Sequence, residues 1–168
     1  MTAALPSPKH WPGHAPAGSA ARQHAQSIRL PAPRAADDVG AARVLNEAPA
    51  GAPHVLHIDR DQAAALALSI LLTPEARVTH VPTLAAAREL LKRQIFSAVV
   101  IDHQLPDGDA AELLPALAAI PLLVYSASEP VWRGQAGAYL PKPWTQPRRL
   151  WTTIARMLGI SNPTFAGD

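Results

Sequence analysis

The sequence contains no cysteine among its 168 residues. Disulfide bonds and thiolate metal sites are therefore excluded. The absence of disulfides also suits a protein of a reducing compartment.

Long hydrophobic runs are missing as well. No apolar stretch approaches the roughly 18–20 residues that a membrane-spanning helix needs. The N-terminus lacks the continuous apolar core of a secretory signal. Positive charge is not in large excess either, since 15 Lys and Arg residues face 13 Asp and Glu residues. Residues 54–168 are close to neutral, which argues against a nucleic-acid-binding face.

Composition divides the chain at about residue 53. Residues 1–53 are rich in Pro and Ala and poor in large aliphatic residues, which predicts a disordered tail. The first 36 residues are free of acids, so a transit peptide is an alternative, although their prolines disfavour the amphipathic helix it would need. We expect one folded domain over residues 54–160, followed by a short tail over 161–168.

Residues 54–160 alternate between short β-rich runs and helix-favouring segments. The predicted strands are 54–59, 77–82, 97–102, 121–126 and 138–141. The predicted helices are 61–73, 84–94, 109–119 and 145–158, with a kink near Pro115. This alternation predicts an α/β fold with a doubly wound, five-stranded parallel sheet covered on both faces.

Polar side chains stand at the ends of four of these strands. Asp59, Asp102 and Ser126 close three strands, and Lys142 follows the last one. In open α/β sheets, functional groups collect at the carboxyl edge of the strands. A carboxylate after a buried strand is costly unless it is paired or used. The sequence therefore predicts a site at this edge.

The motifs that carry these residues resemble a known family. They are "HIDRD" (57–61), "VVIDHQLPDGDA" (99–110), "YSA" (125–127) and "GAYLPKPW" (137–144). In this order and at these strand ends, they resemble the receiver domain of response regulators, the phospho-accepting module of two-component phosphorelay signalling. The resemblance covers residues 54–160 and implies a flavodoxin-like fold.

The resemblance assigns roles to the residues of the site. Asp102 would be the phospho-acceptor that forms an aspartyl phosphate. Ser126 and Lys142 would contact the phosphoryl group. Tyr139 would be the aromatic residue that moves when the hydroxyl group engages the phosphate, and the bond from Lys142 to Pro143 would be cis.

The resemblance also implies a Mg²⁺ ion. Its ligands would be Asp59, Asp102 and the backbone carbonyl of Gln104. Other acids of the region have simpler explanations, since Asp107 and Asp109 suit a turn and a helix N-cap.

Histidines 57 and 103 could suggest a metal site of their own. Packed or solvated rings explain His57, within a strand, and His103, in a loop, more simply.

Arg60 departs from the family pattern. It stands where the family has a second acid, the more direct metal ligand. Three outcomes are open. Asp61 could act as a substitute ligand, the guanidinium of Arg60 could point outward and leave a weakened metal site, or Arg60 could pair with Asp102. We expect the second outcome.

The segment between Ser126 and Lys142 is also unusual, because it is short and contains Pro130, Gly134 and Gly137. We therefore expect a shortened or missing fourth helix. Trp132 would then be exposed or would fold back over the gap.

The leading functional hypothesis is a stand-alone response regulator, not an enzyme. It would accept a phosphoryl group on Asp102 from a sensor histidine kinase or a histidine phosphotransfer protein, and would signal by contacting a protein target. One alternative is a pseudo-receiver that binds proteins without phosphorylation, and another is a phosphate sink for a kinase. The family implies the cytoplasm, and we expect no nucleic-acid or membrane partner.

Overall fold

The protein is described by a computed structural model, which covers residues 41–143 and 145–161. The strands are β1 (Arg43–Val44), β2 (His54–Ile58), β3 (Arg77–Val81), β4 (Ala98–Ile101), β5 (Gln104–Leu105), β6 (Gly108–Asp109), β7 (Leu122–Ser126) and β8 (Ala138–Pro141). The helices are α1 (Gln62–Leu72), α2 (Leu84–Leu91), α3 (Leu114–Leu117) and α4 (Pro147–Met157). Two 3-10 turns, Ala110–Leu113 and Arg133–Gln135, complete the elements.

Six strands form the central sheet, in the order β1-β3-β2-β4-β7-β8. All neighbouring pairs from β3 to β8 are parallel, and only β1 runs antiparallel to its partner β3. The two short strands β5 and β6 form a separate hairpin. The predicted α/β fold with a doubly wound parallel sheet is therefore confirmed.

The sheet buries apolar side chains on both faces. Leu56 and Ile58 of β2 pack on one side with residues of α2 and α3. Val55 of the same strand packs on the other side with Leu68 of α1 and Ile154 of α4. Because side chains alternate along a strand, burial on both faces requires mostly apolar strands, and β4 is apolar and buried throughout.

Strand β1 lies within the segment that the sequence assigned to the tail, so the boundary at residue 53 needs correction. Leu45 donates its backbone N–H to Val78 O at 2.9 Å. The Asn46 side chain donates to Ala76 O at 2.9 Å and accepts from Val78 N at 2.7 Å. These bonds fasten the segment to β3 and make the sheet six-stranded. Residues 1–40 and 162–168, assigned to the two tails, lie outside the described residues.

Side-chain caps set the starts of two helices. Asp61 accepts from Ala63 N at 2.8 Å at the start of α1. Thr83 accepts from Ala86 N at 3.2 Å at the start of α2. Because a cap satisfies backbone N–H groups that have no partner within the helix, these residues fix where each helix begins.

The loop after β4 is shaped by a glycine and two acids. Gly108 has φ +147°, and a Cβ atom there would lie 2.9 Å from the Leu84 side chain. Asp107 accepts from Leu84 N at 2.9 Å, and Asp109 accepts from Ala111 N at 2.7 Å. Asp109 is therefore the predicted N-cap, and Asp107 lies in a turn, as predicted, where it also binds the backbone at the start of α2.

The shortened or missing helix predicted between Ser126 and Lys142 is confirmed, since the 3-10 turn Arg133–Gln135 is the helical element found there. Trp132 precedes this turn, is half-buried against the apolar cluster that contains Leu113 and Val124, and donates its indole N–H to Asp109 Oδ1 at 3.0 Å. Of the two outcomes left open for Trp132, the structure shows the ring folded back over the gap.

The predicted third helix is also divided. Its first part is the 3-10 turn Ala110–Leu113, and only Leu114–Leu117 is α-helical. Pro115 lacks a backbone N–H, and it stands within the first turn of α3, where that donor is not needed.

No helix in the described part of the chain is both long and apolar enough to cross a membrane.

Candidate functional site

The carboxyl edge of the sheet brings together the four residues predicted from the strand ends. Asp59 follows β2, Asp102 follows β4, Ser126 ends β7 and Lys142 follows β8. Since these four strands are adjacent and parallel, their ends meet at one place. The bond between Lys142 and Pro143 is cis, as predicted.

Lys142 connects the two carboxylates. Its ammonium group donates a hydrogen bond to Asp59 Oδ2 and a second one to Asp102 Oδ2, the latter at 3.1 Å. The aromatic face of Tyr125 lies 5.1 Å from the same nitrogen. A cation between two carboxylates is stabilised by both, which fixes the position of its long side chain.

Asp102 is the carboxylate that an incoming molecule can reach. Its side chain is 13% exposed, whereas that of Asp59 is fully buried. Oδ1 of Asp102 accepts from Gln104 N at 3.0 Å and from Ser126 Oγ at 2.8 Å. The carboxylate is therefore held by three donors, counting Lys142, and still opens to solvent.

Asp59 is a buried anion supported by its neighbours. Burial would raise its pKa, but the neighbouring His57 ring and the hydrogen bonds from Lys142 and the Asp61 N–H lower the pKa to about 2. The Lys142 pKa shows the complementary effect. Burial would lower it, but the hydrogen bond and charge of Asp59 and the charge of Asp102 raise it above its usual value. Both groups are therefore ionised at neutral pH.

His57 lies next to Asp59 of the ion pair that Asp59 forms with Lys142. It is fully buried, and its Nε2 stands 3.3 Å from Asp59 Oδ2 without a well-aligned hydrogen bond. Burial lowers its pKa, against the opposing effect of Asp59. We therefore assign the neutral ring to His57 at pH 7, and Lys142 is the cation that balances Asp59. This confirms the interpretation of His57 as a packed histidine.

Sequence reasoning missed two further histidine contacts. His80, buried in β3, places its Nε2 2.7 Å from the backbone oxygen of Asp59. His103 is also buried, and its Nδ1 lies 2.8 Å from Ser126 Oγ. The sequence places His103 directly after Asp102, but it does not show which group the His103 ring contacts.

Comparison with known proteins agrees with this geometry. No protein-family profile and no curated protein sequence matches the chain. Among solved structures, the signal receiver domain of a LuxO repressor protein from Vibrio parahaemolyticus matches with a TM-score of 0.58 at 22% identity, over 64% of this chain and 91% of that one. The HemR receiver domain from Leptospira biflexa matches with a TM-score of 0.57 at 22% identity, over 67% and 99%. This chain has the receiver-domain fold.

A third receiver-domain structure is described with a metal ion. The receiver domain of the sensor histidine kinase PA1611 from Pseudomonas aeruginosa matches with a TM-score of 0.56 at 20% identity, over 64% of this chain and 98% of that one. That structure has a magnesium ion coordinated in its active-site cleft.

The donor set of this chain is poor for such an ion. Asp59 is fully buried, and its two oxygens accept from Asp61 N and from Lys142. Asp61 is committed to the cap of α1, so it does not act as a substitute ligand. Within residues 41–143 and 145–161, no group of three or more His, Cys, Asp or Glu residues is placed to hold a metal ion.

Arg60 adopts the outward arrangement. Its side chain is exposed, and it forms no ion pair with Asp102 or with another residue in the described ranges. The remaining protein donors are the carbonyl of Gln104 and the carboxylate of Asp102, which already pairs with Lys142. Because Mg²⁺ is held mainly by carboxylates and waters, this pairing and the loss of an acid at position 60 weaken the site. The arrangement therefore gives at most the weakened Mg²⁺ site expected for an outward Arg60, and binding of Mg²⁺ by this chain stays a prediction.

Tyr139, the predicted switch aromatic, lies in β8 next to the site. Its ring is half-buried and packs against the same apolar cluster as Trp132. In place of a full helix before β8, the chain has the 3-10 turn Arg133–Gln135. Its movement on phosphorylation stays a prediction.

Proposed function

We propose that this chain acts as a response regulator that accepts a phosphoryl group on Asp102. The proposal rests on the groups that surround the Asp102 carboxylate. Ser126, Lys142 and the Gln104 N–H all donate to it, and its side chain remains 13% exposed. Phosphoryl transfer depends mainly on positioning and on fixed donors that meet the developing charge.

The reaction requires an activated phosphoryl donor. A carboxylate oxygen of Asp102 attacks the phosphorus of a phosphohistidine, the new O–P bond forms, and the N–P bond breaks. The imidazole leaving group keeps the electron pair and takes up a proton. Lys142 stays an ammonium group throughout, because the carboxylates raise its pKa. Its N–H groups and the hydroxyl group of Ser126 then bind phosphoryl oxygens.

The partners follow from this chemistry. The donor would be a sensor histidine kinase or a histidine phosphotransfer protein, and the output would be a contact with a protein target. One structural neighbour is the receiver domain of a sensor histidine kinase, which supports this class of partner. We place the reaction in the cytoplasm and assign no nucleic-acid or membrane partner. No step is assigned to Mg²⁺.

A pseudo-receiver is the second candidate, and Arg60 favours it. The side chain of Arg60 is exposed, Lys142 already pairs with both carboxylates, and the two cations together balance the two negative charges. A site that is balanced in this way could keep one conformation without phosphate and serve only as a binding surface.

Intact-mass spectrometry after incubation with a small acyl phosphate separates the two candidates. We expect a single phosphate adduct on the wild-type chain, with Mg²⁺ and with chelator alike, and no adduct on Asp102→Asn. Lys142→Gln should label roughly tenfold more slowly or worse, because it removes a charged donor. Asp107 lies in the same loop as Asp102 but accepts a hydrogen bond from Leu84 N at the start of α2. Asp107→Asn should therefore label like the wild type.

Each result has a distinct meaning. A folded wild-type chain that takes no phosphate in either condition contradicts the proposal and favours the pseudo-receiver. An adduct that forms only with Mg²⁺ leaves Asp102 as the acceptor but shows that the site binds the ion effectively despite Arg60.

A further inference from the structure

A chain of side-chain contacts leads from the phospho-acceptor into the protein. Ser126 Oγ lies 2.8 Å from Asp102 Oδ1 and 2.8 Å from His103 Nδ1. All three residues have little contact with solvent, and His103 is 7% exposed. Ser126 is therefore held between a carboxylate and an imidazole.

The negative charge of the Asp102 carboxylate fixes the direction of these hydrogen bonds. An ionised carboxylate can only accept, so the single hydroxyl proton of Ser126 points to Asp102. The oxygen of Ser126 must then accept from His103, which requires a proton on Nδ1 of the ring. In the neutral ring, Nε2 is left as an acceptor, and Ser128 Oγ lies 3.5 Å from it.

We propose that His103 is a positioning residue that aims the Ser126 hydroxyl group at the phosphoryl-transfer site. The role rests on the proposed function, because it acts on the acceptor Asp102. A free hydroxyl group can rotate among several hydrogen-bonding directions. The N–H of His103 occupies one side of the Ser126 oxygen and so keeps its proton directed at Asp102.

The same contact persists during transfer. When a phosphoryl group occupies Asp102, the hydroxyl proton turns to a phosphoryl oxygen, while Nδ1–H continues to donate to Ser126 Oγ. A hydroxyl group that accepts a hydrogen bond is also polarised into a better donor. His103 therefore assists Ser126 both before and after the phosphoryl group arrives, without itself touching that group.

The other two histidines near the site do not share this role. His57 lies against Asp59, and His80 contacts the backbone oxygen of Asp59. Of the described histidines, His103 is the one hydrogen-bonded to Ser126.

A double-mutant cycle on the labelling rate tests the coupling. His103→Ala should slow labelling about fivefold, the rate equivalent of one ordinary hydrogen bond. His103→Asn should recover most of the rate, because its amide nitrogen can donate from nearly the same place as Nδ1. In a Ser126→Ala background, His103→Ala should cause no further loss.

A matched control separates this effect from general loss of structure. His54 also bonds a hydroxyl group through its ring, with Nε2 2.8 Å from Thr79 Oγ1, but it starts β2 and so lies at the other end of that strand. His54→Ala should label like the wild type. Equal losses from His103→Ala in the wild-type and Ser126→Ala backgrounds would overturn the proposal, since they would show that the ring does not act through Ser126.

Nitrogen-15 NMR of the imidazole rings tests the same inference without phosphate. The His103 signals, identified by their absence from His103→Asn, should show a proton bonded to Nδ1. A ring protonated at Nε2 alone would overturn the proposal. If the wild-type chain takes no phosphate but His103 carries its proton on Nδ1, the fault lies with the proposed function and not with the hydrogen-bond arrangement.

Discussion

Lys142 and Arg60 together set the charge of the site. The carboxylates of Asp59 and Asp102 carry two negative charges, and Lys142 lies against both of them. Arg60 adds a second positive charge at the position where the family has an acid. The local charge is therefore balanced without a divalent cation. An acid at position 60 would instead leave an excess of two negative charges, which favours the binding of one.

Arg60→Asp should therefore create a magnesium site. The substitution changes the local charge by two units, and at a few ångströms each unit is worth on the order of several kcal/mol even at an effective dielectric constant of 20. We expect the affinity for Mg²⁺ to rise roughly tenfold or more, measured by isothermal titration calorimetry. Arg93→Asp makes the same charge change just after the end of α2 and should leave the affinity unchanged. Equal affinities of Arg60→Asp and the wild type would contradict this explanation.

His57 should make the folded state sensitive to mild acid. Burial lowers its pKa below 6.5, so the unfolded chain binds a proton that the folded chain excludes. Stability is therefore full above pH 6.5 and falls as the pH decreases below it. A second loss follows below pH 3.8, because the Asp59 pKa of about 2 in the fold is also depressed.

Urea unfolding as a function of pH measures this dependence. In His57→Leu, which has a similar volume and no titratable group, the loss just below pH 6.5 should become shallower. The loss below pH 3.8 should remain, since Lys142 still pairs with Asp59. If stability depends on pH just below 6.5 in His57→Leu as it does in the wild type, His57 is protonated in the folded protein.

At the scale of elements, the segment between β7 and β8 departs most from a regular βα repeat. The sequence contains the reason, since Pro130, Gly134 and Gly137 all disfavour a helix. The sequence does not show which residue covers the core in place of that helix. Trp132 covers the core by a contact with Asp109 that spans 23 residues of sequence, and no local pattern indicates such a partner.

Substitutions of Trp132 should measure what this cover contributes. Trp132→Ala should lower the free energy of unfolding by about 2 kcal/mol, less than for a fully buried Trp because the ring is half-buried. Trp132→Phe should cost about 1 kcal/mol, because it keeps most of the apolar area and loses the indole N–H donor. Chemical denaturation gives both values, and the fully exposed Val131→Ala is the control. A Trp132→Ala variant as stable as Val131→Ala would contradict the covering role.

At the scale of the whole molecule, the sequence predicted the fold well because its signals were local and repeated. Apolar strands, helix caps such as Thr83 and the polar strand ends all agreed on one parallel sheet. Strand β1 was not predicted, because two residues in a Pro- and Ala-rich segment show no strand pattern. That strand is held by long-range bonds of Asn46, which only the folded chain reveals.

The candidate site shows the same division. Asp59, Asp102, Ser126 and Lys142 could be placed together from topology alone, since the ends of adjacent parallel strands must meet. The rotation of His103 toward Ser126 could not, because it depends on side-chain packing around a loop. The outward direction of Arg60 likewise required the structure.

Mapping the phosphorylated residue shows whether Asp102 is the phospho-acceptor. The labelled protein is treated with borohydride, which reduces an aspartyl phosphate to homoserine, and its peptides are then sequenced by mass spectrometry. We expect homoserine at position 102 and at no other position. Homoserine at another acid, or a folded chain that is never labelled, would contradict the assignment of Asp102 as the phospho-acceptor.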